Sequence, residues 1–378
     1  MNRYLLALLP IFPWISSCGV ADGFALIGQQ KTESYVYVGN YSSSTVSVFR
    51  LEDGTLSRAA TTTATGGGTS NPNFLTSRSG LPFLLSANFI SGNISVYSIS
   101  DLQSEYAGAL SAISPTFAYS TGAGASGIAI HPTSNYVYVP NYNQAGNNVS
   151  IRSIDSSSGA ISTVGARPAG VNPAMAVIDP SGSYLYVSNF GSNNVTAFSI
   201  SSSTGDLTLV GTYAAAAGSR SLVMDPQGRF LHVLNETAGS ISGFTINSST
   251  GQLTATTPAT FTPGGTGPVR MVGNPTGTFL FVSNNTSNNI SVLSVNSSTG
   301  NLTAVSGSPF SYGSNTQPYG LAVEPTTGSA LAVAFAGEKI LGLFTIDSST
   351  GSLTSTGQSV DVGDAPRTVH FHTITGVE

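Results

Sequence analysis

Charge is scarce in this chain. Lys, Arg, Asp and Glu make up 8% of its 378 residues, against roughly 25% in an average soluble domain. The 12 basic residues are outnumbered by 17 acidic ones, giving a net charge of −5. A chain without a basic face cannot displace phosphate counterions, which excludes an electrostatic nucleic-acid binder. Cysteine occurs once, at Cys18, so the body has no disulfides and must be held by packing and strand pairing. The only tryptophan is Trp14, and there are four histidines. No apolar stretch is long enough for a transmembrane helix. Disorder is excluded as well, because 40% of the residues are hydrophobic and disordered chains are apolar-poor and charge-rich.

What is present is turn chemistry. The 43 glycines, with abundant Ser, Thr and Asn, imply many turns between short strands. A chain this long buries roughly three quarters of its extended surface, and a single all-β domain of this size is ordinary.

Met1 to Ser17 reads as a secretory signal. Arg3 gives the positive start, and the apolar run Leu5 to Ile15, interrupted by Pro10 and Pro13, is too short to span a bilayer. Ile15-Ser16-Ser17-Cys18 resembles the lipobox of bacterial lipoproteins, whose cysteine becomes lipidated at the new N-terminus. The expected organisation is therefore a signal peptide over 1–17, a lipidated tether over 18–34 and a folded body over 35–378. The expected location is the bacterial cell envelope, facing the periplasm or the cell surface, with a secreted form as the alternative. The membrane is then a partner only through the anchor.

From Tyr35 onward one pattern recurs, an alternating apolar strand that ends in Asn. Its copies end at Asn40, Asn88, Asn141, Asn189, Asn235 and Asn284, and a seventh, Ala330 to Phe335, has lost the Asn. The ends fall 48, 53, 48, 46, 49 and 51 residues apart. A period near 50 without helical patterning means stacked β units. Each unit carries four strand signals. The first leads into a turn such as Asp179-Pro180-Ser181-Gly182. The second is the aromatic-rich strand. The third follows an Asn/Ser turn, and a hairpin such as Ser201-Ser202-Ser203-Thr204-Gly205 leads to the fourth. Seven units of four antiparallel strands describe an all-β, seven-bladed β-propeller. The first unit lacks its first strand, while Ala365-Pro366-Arg367-Thr368-Val369-His370-Phe371-His372 matches a first strand without a blade. The C-terminal strand is expected to pair beside Tyr35 to Val38 and close the ring, removing open edges.

The run from Pro173 through Asp179-Pro180-Ser181-Gly182 to Tyr184-Leu185-Tyr186-Val187-Ser188-Asn189, and the hairpins of type Asp347-Ser348-Ser349-Thr350-Gly351, resemble the seven-bladed lactonase-type propellers. That family includes 6-phosphogluconolactonases and carboxy-muconate lactonising enzymes. The strand signature is also similar to that of YVTN-repeat surface propellers. The resemblance spans residues 35 to 376 and implies a ligand site at the channel mouth, where the loops entering each first strand converge.

Aligning the units on their turn residue gives one mouth residue per blade: Asn73, Ser126, Ala174, Arg220, Val269, Tyr319 and Arg367. In the family a Pro-Arg-His start and an Asn-Glu strand end supply an arginine and a glutamate. Here Ser219-Arg220-Ser221 and Asn235-Glu236 resemble those pieces. A guanidinium can hold a carboxylate or phosphate in bidentate fashion, and a neighbouring carboxylate can act as general base or acid. The pair can equally be an ion pair that serves structure. The chain departs from the family pattern elsewhere. Pro173-Ala174 stands where the family has Pro-His, and Asn189-Phe190-Gly191 where it has Asp-Leu-Gly. Asn285 and Tyr319 replace two family arginines.

The favoured expectation is a lactonase-like propeller with a degenerate catalytic site, binding a small molecule or protein at its mouth through Arg367, Tyr319, Asn73 and Ser126. The alternative is an active lactone hydrolase, 6-phosphogluconolactonase-like, using Arg220 and Glu236 with Arg367 as a second anion clamp. No cofactor and no metal are expected. Gly122, Gly124 and Gly127 match a dinucleotide fingerprint, but they lead into a strand and not a helix. His370 and His372 lie two apart on a strand and so face one side, with a polar turn role expected for His372. Sequons such as Asn194-Val195-Thr196 fall at one repeated turn, where turn chemistry explains them.

Overall fold

The computed structural model describes residues 30–64, 71–113, 118–146 and 148–377. The signal segment and Cys18 lie outside the described residues. Among those described there are 30 strands and no helix, arranged in seven sheets.

Each sheet is one blade. Blade 1 joins Pro366–Val377, Gln30–Asn40, Thr45–Glu52 and Thr55–Ala64. Blade 2 runs Pro72–Ser77, Phe83–Asn88, Asn93–Ile99 and Leu110–Ala112, with Ala118–Ser120 beside its third strand. Blade 3 is Ala129–Ile130, Tyr136–Pro140, Val149–Ile154 and Ile161–Arg167. Blade 4 is Pro173–Ile178, Tyr184–Asn189, Asn194–Ile200 and Leu207–Ala214. Blade 5 is Ser219–Met224, Phe230–Asn235, Ser240–Ile246 and Leu253–Phe261. Blade 6 is Pro268–Gly273, Phe279–Asn284, Asn289–Val295 and Leu302–Ala304, joined by Phe310–Ser311. Blade 7 is Pro318–Val323, Ala330–Phe335, Ile340–Ile346 and Leu353–Asp361.

The second strand of every blade is apolar because both of its faces are covered. Seven apolar clusters fill the seven gaps between neighbouring blades. Tyr138 and Ile151 of blade 3 pack on Leu185 and Val187 of blade 4, for example. Leu234 and Ile241 of blade 5 pack on Met271 and Val282 of blade 6. No blade has a core of its own, so stability is a property of neighbouring pairs.

Two repeated residues set this geometry. The strand-end Asn clamps the turn that follows it. Asn189 Nδ2 donates to Asn194 Oδ1 at 2.8 Å and to Thr196 Oγ1 at 2.9 Å. Asn88 and Asn284 repeat the contact with their own partners. The second-strand aromatic latches the next blade. Tyr138 and Tyr186 hydroxyls donate to the carbonyls of hairpin Gly205 and Gly251 at 2.8 and 3.0 Å. These hairpin glycines sit at φ +69° and +71°, and a Cβ on either would lie within 2.4 Å of a tyrosine ring. His232 takes the tyrosine's place in blade 5, with Nε2 2.8 Å from the Gly300 carbonyl.

The ring closes as the repeat count requires. Tyr35 pairs with His372, Val36 with Phe371, Tyr37 with His370 and Val38 with Val369. The closing ladder is longer than expected, continuing to Gln30 opposite Val377. Residues 30–34 are therefore strand and not tether. The polar stretch Gln30 to Ser34 shows no apolar alternation, but its backbone is held by the opposite strand, and Glu33 is paired with Lys31 and Arg50. His372 is correspondingly inside a strand and not at a turn.

Candidate functional site

The mouth of the channel is built by a repeated irregularity. In blade 5, Ser219 pairs with Asn235 and Ser221 with Leu234, leaving Arg220 in a bulge. The same register shift frees Asn73, Ala174, Val269 and Arg367, and a wider one frees Tyr319 with Gly320. A bulge re-aims one side chain without ending the strand. A second set of positions is the residue after each second strand, Tyr41, Phe89, Tyr142, Phe190, Glu236, Asn285 and Ala336, of which Tyr41 and Glu236 contact the bulge arginines Arg367 and Arg220.

The seven mouth positions do not serve alike. Asn73 is buried, and its amide donates to the Ser126 carbonyl at 2.9 Å. Ser126 is buried too, its hydroxyl 2.9 Å from the Pro173 carbonyl. Both expected ligand residues are thus engaged in joining blades 2, 3 and 4. Ala174 and Val269 are buried and carry no polar group. Arg220, Tyr319 and Arg367 remain.

These three meet. Arg220 Nη1 forms an ion pair with Glu236 Oε2, both side chains about a quarter exposed. Its Nη2 lies 3.2 Å from the Tyr319 hydroxyl, reaching from blade 5 to blade 7. Arg367 stacks 3.7 Å from the Tyr41 ring centroid and 5.4 Å from that of Tyr319. Burial opposes the Arg220 charge, but Tyr319 and Glu236 outweigh it and hold the guanidinium above its ordinary pKa. Tyr142 stands close enough to feel both members of the pair, and burial raises its phenol. Its ring lies 5.8 Å from Phe89 on one side and 5.8 Å from Phe190 on the other. The opening therefore has an aromatic arc over blades 1 to 4 and a charged arc over blades 5, 7 and 1.

One charged residue was not among the expected ones. Arg270 follows Val269 by a single position, is 7% exposed, and lines the channel just below the mouth. Its Nη2 donates to the Asn73 carbonyl at 2.7 Å and its guanidinium lies 5.8 Å from the Phe74 ring centroid. The residues that follow five of the bulges, Phe74, Met175, Ser221, Arg270 and Thr368, line the cavity below the mouth as a second ring. Reading that ring off the alignment would have found its one cation.

None of the four histidines is a mouth residue. His131 caps a turn and contacts the Gly182 carbonyl, and His232 is the blade latch described above. His370 and His372 do face one side, both 2.7 Å from Ser77 Oγ. The glycine-rich segment 122–127 runs into the short first strand of blade 3, with Ala125 bridged to Asn141. Among the described residues no three His, Cys, Asp or Glu side chains come together.

Residues 90–219 and 212–371 match the family model described as lactonase, 7-bladed β-propeller. The chain belongs to this family. No curated protein matches it. Solved structures of the same architecture include the periplasmic gluconolactonase of Pseudomonas aeruginosa, 22% identical with a TM-score of 0.75, covering 92% of this chain and 100% of that one. A protein from Lactobacillus plantarum is 20% identical with a TM-score of 0.75, over 90% of this chain and 99% of that one. A candidate 6-phosphogluconolactonase from Bacteroides fragilis is 20% identical with a TM-score of 0.73, over 90% and 98%. At these identities the likeness is one of fold, and chemistry in this lactonase-family propeller has to be argued from its own mouth.

Proposed function

We propose that the chain hydrolyses a lactone at the propeller mouth, with Glu236 as general base and Arg220 as the cation facing the developing oxyanion. One observation carries this reading. Arg220 holds Glu236 and touches Tyr319, while Arg367 stacks on the same Tyr319, so one carboxylate and two guanidiniums share one opening. The Glu236 carboxylate has no other protein hydrogen-bond partner among the described residues. It can take a proton from water as the water oxygen bonds to the ester carbonyl carbon. Charge then builds on the carbonyl oxygen, where a fixed guanidinium is most effective. The ring C–O bond breaks, and the proton held by Glu236 passes to the departing alkoxide, giving a hydroxy acid.

A second reading has its own support. Ala174 stands at the position where relatives carry an imidazole, and all four histidines lie elsewhere. This favours a mouth that binds a small molecule or protein without turnover. The two separate in one assay of the full chain on gluconolactone, 6-phosphogluconolactone and an unphosphorylated aromatic lactone. The hydrolase reading expects turnover that falls at least a hundredfold in both Glu236→Gln and Arg220→Met. Turnover at background, or turnover equal in the variants, removes it.

The chain is further proposed to be exported and anchored through Cys18. Arg3, the short apolar run and the Ile15-Ser16-Ser17-Cys18 sequence support this. Export favours a lactone met outside the cytoplasm over 6-phosphogluconolactone. Cys18→Ala should leave the precursor uncleaved or move the protein out of the membrane fraction, and unchanged partitioning would sink the anchor.

A further inference from the structure

Arg270 is a buried cation without a counter-charge. Among the described residues no carboxylate pairs with it, and its one hydrogen bond is to a neutral carbonyl, that of Asn73. Taking a charge out of water is costly unless it is paired and hydrogen-bonded. A guanidinium has five N–H donors, and here a single one is engaged by the protein. Burial pushes Arg270 down to about 10, so it still carries its charge at neutral pH. The groups around it pull both ways: Tyr319 and Glu236 favour its charge, Arg220 and Arg367 oppose it, and Glu236 is already bound to Arg220.

The space beside Arg270 is a cavity of about 290 Å³, lined by Arg270, Arg367, Met175, Ser221, Gly320 and Thr368. Apolar groups of Phe74 and Leu321 complete the wall. It is much larger than a single ion or water needs and lies at the lower edge of small-molecule pocket sizes. It is not simply roomy for want of side chains. A Cβ on Gly320 would lie 3.0 Å from the Arg367 and Thr368 backbone, so the chain is already closely packed at the cavity's edge.

We propose that this channel cavity is a binding site for a small organic carboxylate, its charged end on Arg270 and its short apolar body against Met175 and Phe74, with Arg367 at the upper lip. The reasons are independent of catalysis. An unpaired buried guanidinium asks for an anion, the partly apolar wall asks for carbon, and the volume admits a few heavy atoms. A carboxylate presents two oxygens to the guanidinium fork, and Thr368 Oγ1, which accepts from Leu75 N at 3.2 Å, retains a proton to donate. The site lies beneath the Arg220–Glu236 pair and does not depend on lactone hydrolysis.

The test is calorimetric titration of the full chain, at fixed ionic strength and pH 7.5, with butyrate, acetate, inorganic phosphate and chloride, and with no lactone present. Butyrate is expected to bind at one saturable site, more tightly than acetate and than either inorganic ion. Arg270→Met should weaken butyrate at least tenfold and Arg367→Met several-fold, with Arg229→Gln, on an outer turn, unchanged. Arg270→Lys keeps the charge but not the fork and should bind about threefold or more weaker, which serves if the Met variant does not fold. No saturable binding of butyrate overturns the proposal. So does butyrate affinity unchanged in Arg270→Met or Arg270→Lys, or phosphate or chloride binding as tightly as butyrate. Because no turnover is read, a chain that hydrolyses nothing still answers.

Discussion

Asn235 and Glu236 are adjacent in the chain and belong to different regions of the molecule. Asn235 is one of the strand-end clamps, a residue that recurs in six of seven blades at the same depth. Glu236 sits one step higher, at a mouth position occupied elsewhere by Tyr, Phe, Asn or Ala. The layer below is repetitive because every blade faces the same problem, a turn whose polar groups must be satisfied while both sheet faces are buried. The layer above is varied because nothing structural requires it to repeat. In a propeller, what recurs every 50 residues is scaffold, and what occurs once on that frame is where chemistry is sought.

The comparison breaks most severely if the scaffold depends on the mouth or the mouth on the scaffold. Removal of residues 365–378 is the largest test. It takes the inner strand from blade 1, opens an edge along Gln30–Asn40 and uncovers Val36, Val38 and Phe49, against which Val369 and Phe371 pack. It also removes Arg367. The truncated chain should lose cooperative unfolding and aggregate, as followed by circular dichroism melting and light scattering. A normal melt would mean that six complete blades suffice.

Single substitutions sharpen the same contrast. Asn189→Ala deletes two donors from the blade 4 turn and the acceptor that takes Gly170 N at 2.9 Å. Leaving those groups unpaired should destabilise the fold by about 1–3 kcal/mol. Glu236→Gln breaks a partly exposed ion pair, worth about 0–1 kcal/mol. Urea midpoints should therefore drop clearly for the first and little for the second, while any lactone turnover should show the reverse order. Equal midpoints would erase the distinction between the two layers.

That distinction explains what could be read in advance. The repeat period, the blade count and the closing strand were legible because each depends on alternation and spacing that survive in sequence, and the Arg220–Glu236 pair was legible through its likeness to pieces of lactonase-type propellers. Arg270 was not. Strand alternation predicts that residues 269 and 270 face opposite ways, and the bulge at Pro268/Arg270 makes both usable from the channel. Asn73 and Ser126 align with the mouth positions, but their polar groups are turned into blade junctions, a choice made by neighbours distant in sequence. Residues 30–34 are polar and unpatterned. Only the partner strand, more than 300 positions away, makes them a strand.

The last contrast sets the floor of the channel against its mouth, and it is read through pH. Ser77 N donates to His370 Nε2 at 3.0 Å, so that nitrogen is an acceptor and the ring is neutral. Ser77 Oγ lies between His370 Nε2 and His372 Nδ1, which fits a chain of donors running from His372 through the hydroxyl to His370. A proton arriving on His370 Nε2 would abolish both of its hydrogen bonds with Ser77. Burial, with His372 as a like charge beside it, pushes His370 down to about 3. His372, His131 and His232 are lowered as well, burial being the largest cause in each. In the unfolded chain these imidazoles titrate near 6.5. Between that value and the folded ones the unfolded state binds protons that the folded state refuses. Stability is therefore complete above pH 6.5 and declines as pH falls, by about 1.4 kcal/mol per pH unit for each histidine that stays neutral. Urea midpoints at pH 7.5, 6 and 5 should fall in that order, and His370→Gln should flatten the slope. A profile flat from pH 7.5 to 5 would mean that the floor accepts protons without cost, and the donor chain through Ser77 would have to be redrawn.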